Sequence, residues 1–461
     1  MQGIPAFKTS GPVPPAAFSE SRRQLVHMAM GGFALLLRFL TWWQAALCAL
    51  AAFLFNLLIL PRLGGPALSR PADTARGYPL GILVYPLSVL LLILALPRRL
   101  DLVAAAWGLL AVGDGAATLV GRRCPSVPLP WNREKTVAGT LAFVICGTSA
   151  AVLLAWWTRP AIAPPPSLFF VAIAPLVAAI AAGLVESIPV RLDDNISVPV
   201  TAGFVLWGLS LMTRDAWGAA APRVVGSLLP AVLLNVPIAT LGWRARTVSL
   251  QGAVAGAVIG VAIFACAGFG GWILLFASFF LATASSRMGL SRKALLGIAE
   301  EREGRRGAGN AIANCGLAVW AGTLAVATPY SGAALLALVA ALAAGASDTV
   351  ASEIGKAWGR RTLLVPTFVP VKPGTSGAIS LEGTAAGLVA ALALAAVGTA
   401  AGLIHVNALW AVVVGAATAS LVESILAATL EAPGILDNHL LNFIDTAVAS
   451  AIAVALVRAF S

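Results

Sequence analysis

Nine of the nineteen acidic residues in this sequence sit in short polar words set between apolar runs: Asp114, Glu186, Asp193, Asp194, Asp348, Glu353, Glu382, Glu423 and Asp437. A carboxylate at the centre of a membrane helix costs on the order of 2.5 to 3.5 kcal/mol, so each of these needs a compensating partner. One candidate partner is a divalent cation. Carboxylates together with the amide oxygens of Asn195 or Asn438 are hard ligands suited to Mg²⁺, which keeps water and phosphate oxygens in its remaining positions. The other candidate is a set of structural ion pairs with Arg122, Arg123, Arg191, Arg360 and Arg361.

Basic, glycine-containing segments flank the acids. Gly121-Arg122-Arg123 precedes Pro130 to Gly139, a run that carries Lys135 and places Thr136 as the cap of the helix that follows. Later in the chain, Lys372-Pro373-Gly374-Thr375-Ser376-Gly377 leads into Ser380-Leu381-Glu382-Gly383-Thr384. Glycine admits close backbone approach, helix N-termini offer free N–H groups, and Lys or Arg neutralises phosphate. Both segments are therefore candidate polyphosphate cradles. The sequence contains no GxxxxGK[ST], so a P-loop is not expected. Gly252, Gly256 and Gly260, at fourfold spacing, read as a helix-packing face.

The elements that must position these residues are transmembrane. The 461 residues are 59% hydrophobic and 11% charged, with a mean hydropathy of +0.91, against roughly 25% charged in soluble domains. A soluble fold is excluded. Apolar runs such as Pro79 to Leu96, Ala138 to Trp157 and Gly383 to Leu403 approach the roughly 20 residues that cross a hydrocarbon core. The expected fold is an all-α, polytopic transmembrane helical bundle of about 13 to 14 spans. Residues 1–20 hold four prolines and no apolar h-region, which reads as a flexible tail and not a cleavable signal. Cys48, Cys124, Cys146, Cys266 and Cys315 form no CxxC pair and imply neither disulfides nor zinc. The net charge of +11 concentrates in the loops 122–135, 287–306 and 356–372. That pattern is positive-inside topology, with those loops in the cytoplasm and no nucleic-acid partner expected.

The polar words occur twice in the same order. Gly113-Asp114, Gly121-Arg122-Arg123, Gly139-Thr140, Glu186-Ser187-Ile188 and Asp194-Asn195 recur as Ser347-Asp348, Gly359-Arg360-Arg361, Gly383-Thr384, Glu423-Ser424-Ile425 and Asp437-Asn438. Such a repeat predicts two related membrane units, 21–215 and 222–461, each with its own site. About eight spans between Asp114 and Asp348 would leave both sites on one side of the membrane.

On these residues two family resemblances can be stated. The first unit resembles the dolichol and phytol kinase family of CTP-dependent polyprenol kinases, whose pattern is an aspartate, x-x-A-x-x-x-G, a basic stretch and K-[ST]-x-E-G. This chain carries Asp114, Ala117, Gly121, Arg122, Arg123, Lys135, Thr136 and Gly139, and Arg23 with His27 matches the family's R-x-x-x-H opening helix. It departs from the pattern at Ala138, where the family has Glu. The second unit resembles the phytyl-phosphate kinase family of plastids and its bacterial and animal members. The matching words are Asn310 to Asn314, Ala346 to Gly355, Gly359 to Arg361, Pro373 to Gly377 and Ser380 to Thr384.

The resemblances imply consecutive reactions, in which an isoprenoid alcohol becomes its monophosphate and then its diphosphate at the expense of CTP or another NTP with Mg²⁺. Asp114 and Asp348 would be the central catalytic carboxylates, with His27 a second candidate base. Arg122, Arg123, Lys135, Thr136 and Gly139 would hold nucleotide phosphates in the first unit, and Arg360, Arg361, Lys372, Gly374, Thr375 and Gly383 in the second. Asp114, Glu186, Asp194 and Asn195 would bind metal in the first unit, and Asp348, Glu353, Glu382, Glu423, Asp437 and Asn438 in the second. Arg305 and Arg306 would add cationic screening there. The expected setting is the bacterial cytoplasmic membrane with sites facing the cytoplasm. A CDP-lipid cytidylyltransferase and a secondary transporter built on internal repeats are the competing readings.

Overall fold

A computed structural model describes residues 20–63, 80–124, 126–188, 192–298, 307–365, 367–432 and 435–460. Residues 1–19 of the expected tail, and Arg191, Arg305 and Arg306, lie outside the described residues. The chain divides into two compact units, residues 1–210 and 211–461. Both are helical, and the protein is a polytopic integral membrane protein.

Among the described residues, eleven helices are long and apolar enough to cross a membrane. Two features separate this number from the 13 to 14 expected. Gly81–Ala95 and Asp194–Leu211 are apolar helices that fall short of a full span by length or hydropathy. In addition, Leu250–Arg287 is a single 38-residue element broken at Gly268, whose φ of 70° and ψ of −169° favour a residue without Cβ. On a straight helix Gly260 and Trp272 would stand about 18 Å apart. Instead, Trp272 Nε1 donates to Asn235 Oδ1 at 3.0 Å, and a Cβ on Gly260 would overlap the same carboxamide. The element is thus a helical hairpin that turns back at Gly268.

In the first unit the central helix is Leu100–Arg123, 72% of whose apolar window is buried; in the second it is Ser331–Trp358, at 67%, against 50% or less for the others. Small residues make this possible. Ala104, Ala105 and Ala106 in the first, and Ala340, Ala341, Ala343 and Ala344 in the second, are buried almost completely. Association of helices in lipid gains little from hydrophobic burial and depends on close packing, which such residues permit. A Cβ on Gly108 would come within 3.0 to 3.1 Å of the Ala150–Ala151 backbone, so here two helices touch main chain to main chain.

The same succession of elements follows each central helix. In the first unit it is a hairpin of strands Pro128–Leu129 and Asn132–Thr136, then helices Val137–Thr158, Leu168–Ser187 and Asp194–Leu211. In the second it is a three-stranded antiparallel sheet, with Thr362–Leu364 between Val369–Pro370 and Ala378–Ser380, then helices Leu381–Ala400, Leu409–Leu426 and Asn438–Phe460. Each β segment ends on the residue that caps the next helix. Thr136 Oγ1 accepts from Gly139 N, and Ser380 Oγ accepts from Gly383 N, both at 3.2 Å.

Contacts around these caps set the register between the copies. Gly121 lies against Thr136 and Gly139, while Gly355 lies against Ser380 and Gly383, at nearly equal distances. Gly121 therefore corresponds to Gly355 and not, as the repeated Gly-Arg-Arg words suggest, to Gly359. The sequence match slipped by one helical turn. Its consequence is that Arg122 corresponds to Lys356, and that Arg360 and Arg361 belong to a loop without a counterpart. A second slip, of one residue, occurs further on. Asp193 Oδ1 accepts from Asn195 N and Asp437 Oδ1 from Leu440 N, so Asp193 and Asp437 are the equivalent first-turn caps.

Candidate active sites

In the first unit, Asp114 begins the helical turn after the π-helical segment Leu109–Gly113, an inserted residue that locally widens and underwinds the helix, of the kind that recurs at functional sites. Glu186 ends the helix Leu168–Ser187, and Asp194 begins the next long helix. The interior of the central helix and the termini of two others thus bring together one carboxylate oxygen each from Asp114, Glu186 and Asp194, all within 4.8 Å of one another. Asp114 is 8% exposed and Glu186 5%.

The strand Asn132–Thr136 delivers the cation. Trp131 Nε1 donates to Ser187 Oγ and Asn132 Nδ2 to Ser187 O, both at 3.1 Å, which pins the hairpin over the end of the Glu186 helix. Lys135 Nζ then lies 2.7 Å from Glu186 Oε1 and 3.1 Å from Asp194 Oδ2. Burial alone would lower the affinity of this amine for its proton, but the two carboxylates outweigh it and hold Lys135 above the ordinary lysine range. The sign follows: while Glu186 and Asp194 are ionised, the stabilisation from protonated Lys135 is fully present below about pH 10.4 and is lost as pH rises through the higher folded value.

His27 approaches from the opening helix Glu20–Met30. Its Nε2 lies 3.0 Å from Leu110 O and 3.5 Å from Asp114 Oδ2. A carbonyl only accepts, so Nε2 carries the proton in this arrangement and donates it to Leu110 O, leaving His27 beside Asp114. Asp114, Glu186, Asp194 and Lys135 line a polar cavity of about 600 Å³, whose cations among the described residues are Arg23, Arg133 and Lys135. Asn195 also lines it; its Nδ2 donates to Asp193 Oδ1 at 2.7 Å, and its buried Oδ1 has no hydrogen-bond partner.

Not every residue singled out in the sequence arrives here. Arg122 and Arg123 are exposed at the end of their helix and do not line the cavity. Thr136 spends its side chain on the cap, and Gly139 is pressed against Gly121 and the Ala117 carbonyl, with no open backbone for a ligand. Gly383 is likewise packed against Ala351 O and Gly355. Both glycines serve the helix crossing and not a phosphate. Conversely, Arg133 is in the wall of the cavity and was passed over in the sequence, although it belongs to the same basic hairpin as Lys135.

In the second unit Asp348 stands on the central helix within electrostatic reach of Lys356, Glu431, Glu423 and Asp445. The loop Pro373–Gly377 reaches this group: Ser376 Oγ donates to Glu431, and Gly377, at φ 76°, lies against the Ser424 carbonyl and Ala428. Asp445 was missed because it stands outside the repeated words, although a lone acid in the apolar helix Asn438–Phe460 was a usable signal. It is 1% exposed, and neither of its carboxylate oxygens has a hydrogen-bond partner.

Other members of the expected second site lie elsewhere. Glu353 is buried between two ammonium groups, with Oε2 on Lys293 and Oε1 3.0 Å from Lys356. It forms a structural ion pair and leaves no free oxygen for a metal. Asp437 is a helix cap, and Asn438 is exposed. Glu382 accepts from Arg360 N at 3.4 Å. Arg360, Arg361, Lys372, Gly374 and Thr375 are exposed on the β segment, with Thr375 Oγ1 donating to Lys372 O at 2.8 Å.

Lys293 was also passed over; at 1% exposure its partners among the described residues are Glu353 and the Ser286 carbonyl, 2.7 Å away. Glu353→Gln would strand that ammonium. The expected loss is about 3 to 5 kcal/mol of stability, read from thermal unfolding in detergent, with Lys293→Met/Glu353→Leu recovering most of it. An unchanged midpoint in Glu353→Gln would show that the pair does not hold the fold.

Taken together, the molecule is a helical integral membrane protein whose first unit gathers buried carboxylates and a lysine in a polar cavity, and whose second gathers carboxylates around a glycine-rich loop. Residues 233–450 match the integral membrane protein family DUF92. An uncharacterized membrane protein of Synechocystis is 38% identical over 204 residues, 43% of this chain and 78% of that protein. Protein VTE6, chloroplastic, of Arabidopsis thaliana is 34% identical over 237 residues, 50% of this chain and 70% of that protein. The chain belongs to the DUF92 family. It is also 32% identical over 135 residues to the probable phytol kinase 1, chloroplastic, of Glycine max, covering 28% of this chain and 44% of that protein. No solved structure matches the chain significantly.

Proposed function

We propose that the protein is a membrane isoprenoid-lipid phosphotransferase with two sites, the first acting on an isoprenoid alcohol and the second on its monophosphate. The observation that carries this reading is the triad of buried Asp114 and Glu186 with half-buried Asp194, and Lys135 across it, in a cavity large and polar enough for a nucleotide's phosphates. The name of the Glycine max relative, a probable phytol kinase, supports the substrate class. Both sites would face the cytoplasm, where nucleotide is available.

The first site's donor set fits Mg²⁺: three carboxylates converge, and the unpartnered Asn195 Oδ1 adds a hard amide oxygen. Asp114, Glu186 and Asp194 would hold the ion, which when bound neutralises phosphate charge. Lys135, Arg23 and Arg133 supply the chain's own positive charge to CTP or another NTP. In the reaction the substrate hydroxyl oxygen bonds to the terminal phosphorus, the bridging P–O bond to the nucleoside diphosphate breaks, and the hydroxyl proton passes to Asp114, beside which His27 lies.

At the second site the attacking phosphate oxygen is already anionic, so charge screening matters more than proton removal. Lys356 is the cation within electrostatic reach of Asp348, and the exposed Arg360, Arg361 and Lys372 lie on the adjoining loop segment. Asp348, Glu423 and the unpartnered Asp445 are the carboxylates that would hold a cation there.

The test uses purified protein in detergent, CTP labelled at either the γ or the α phosphate, and farnesol, geranylgeraniol or phytol and their monophosphates as acceptors. Transfer of the γ label to both acceptor classes is expected. Appearance of the α label in lipid would instead make the protein a cytidylyltransferase, and no transfer by folded protein from CTP, ATP or GTP would remove the phosphotransferase reading.

A further inference from the structure

The second unit contains a cavity of about 160 Å³ that the phosphate chemistry above does not use. It lies between the helices Arg214–Arg244, Ala308–Ala327 and Ser331–Trp358 and both arms of the hairpin broken at Gly268. Among the described residues no charged side chain lines it. Trp272, Phe276 and Phe279 from the second hairpin arm face Gly252 and Gly256 from the first.

Those glycines were read from the sequence as a packing face, and only part of that holds. Gly260 does pack, against Asn235, but a Cβ on Gly256 would meet nothing within 4 Å. Gly256 is exposed, so this space lies on the open side of the cavity, where a larger side chain could be added without backbone movement.

The polar atoms of the cavity are nearly all consumed within the protein. Asn235 Nδ2 donates to Ala231 O at 2.9 Å and its Oδ1 accepts from Trp272, while Ser278 Oγ donates to Leu342 O at 3.2 Å. Asn314 is the exception: its Nδ2 donates to Asn310 O at 2.9 Å, but its buried Oδ1 has no partner. Asn314 sits against Gly345, and Asp348 follows three residues later on the same face of that helix. The cavity is thus apolar and aromatic along its length, and its unsatisfied polar end points toward the catalytic carboxylate of this unit.

We propose that this cavity binds the isoprenoid chain of the second site's phosphorylated substrate, with the head group at the Asn314 end beside Asp348 and the chain running between Gly256 and the aromatic arm. The inference rests on the phosphotransferase reading for the head group and on the cavity alone for the chain. Gly256 then limits how long a chain is accepted.

The test separates binding from transfer. Purified protein is irradiated with a diazirine-bearing geranylgeranyl monophosphate and the labelled peptides are mapped; affinities of unlabelled geranyl and geranylgeranyl monophosphates are measured by competition. Labelling confined to residues 252–259 and 272–282 is expected. Gly256→Leu should weaken the twenty-carbon ligand at least tenfold while leaving the ten-carbon ligand within twofold, and the lipid-facing Val254→Leu should change neither. A thermal midpoint equal to the parent's verifies folding. Specific labelling with the chain-length signature, but no phosphate transfer, would sustain the chain site and sink the phosphotransferase reading. Transfer with an unchanged chain-length preference in Gly256→Leu would do the reverse. Labelling spread over lipid-facing helices, or occupancy by a diazirine phospholipid that isoprenyl phosphate does not displace, would overturn the proposal in favour of a structural bilayer lipid.

Discussion

Asp114→Asn should lower phosphorylation of an isoprenoid alcohol about a thousandfold, equivalent to about 4 kcal/mol of transition-state stabilisation, while leaving phosphorylation of the monophosphate within twofold. Both roles assigned to this side chain, holding a cation and receiving the hydroxyl proton, require an anionic oxygen, and the isosteric amide offers none. The fold should survive the change. Asp114 is 8% exposed, and its basic neighbours Lys135 and His27 keep other partners in Glu186, Asp194 and Leu110 O. A single-turnover assay with each acceptor separates the two steps. Equal loss of both activities would show that the units do not act independently, and unaltered alcohol phosphorylation would remove Asp114 from the chemistry.

Asp348→Asn should produce the complementary result, a loss on the order of a hundred- to a thousandfold in phosphorylation of the monophosphate with alcohol phosphorylation retained. Asp348 lies among Glu423, Glu431 and Asp445, with Lys356 the cation that offsets them. Removing one negative charge from such a cluster relieves repulsion. The variant should therefore unfold no earlier than the parent on heating, and a stability gain beside an activity loss is the signature of a group kept for function at a cost in stability. A variant that both unfolds early and loses activity would place Asp348 in a structural pair like that of Glu353.

Much of this arrangement is legible in the residues. The second copy of each polar word announced the repeat, and the caps Thr136 and Ser380 follow from a hydroxyl residue set three before a glycine at a helix start. The convergence of Asp114, Glu186, Asp194 and Asn195 was readable because acids at the ends of apolar helices have few stable places to go. The register was not readable. Gly-Arg-Arg occurs in both units, but a glycine needed for a close helix crossing looks the same in sequence as a glycine in a loop. Only contact with Gly383 and Ser380 identifies Gly355 as the partner of Gly121.

What the sequence alone sets is therefore the class of protein, the doubling of its units and the inventory of groups able to handle phosphate. Each of these depends on composition or local order along the chain, and hydrophobic runs, caps and repeated words are local. The tertiary structure decides which groups are available. Glu353 and Lys293 neutralise each other in the interior, Arg122 and Arg123 remain exposed while Arg133 lines the cavity, and Gly256 stays exposed where Gly260 packs against Asn235. The physical reason is that charge neutralisation and close packing act between helices distant in sequence. Whether a carboxylate is free or paired, and whether a glycine is packed or open, depends on the neighbour that the fold brings to it.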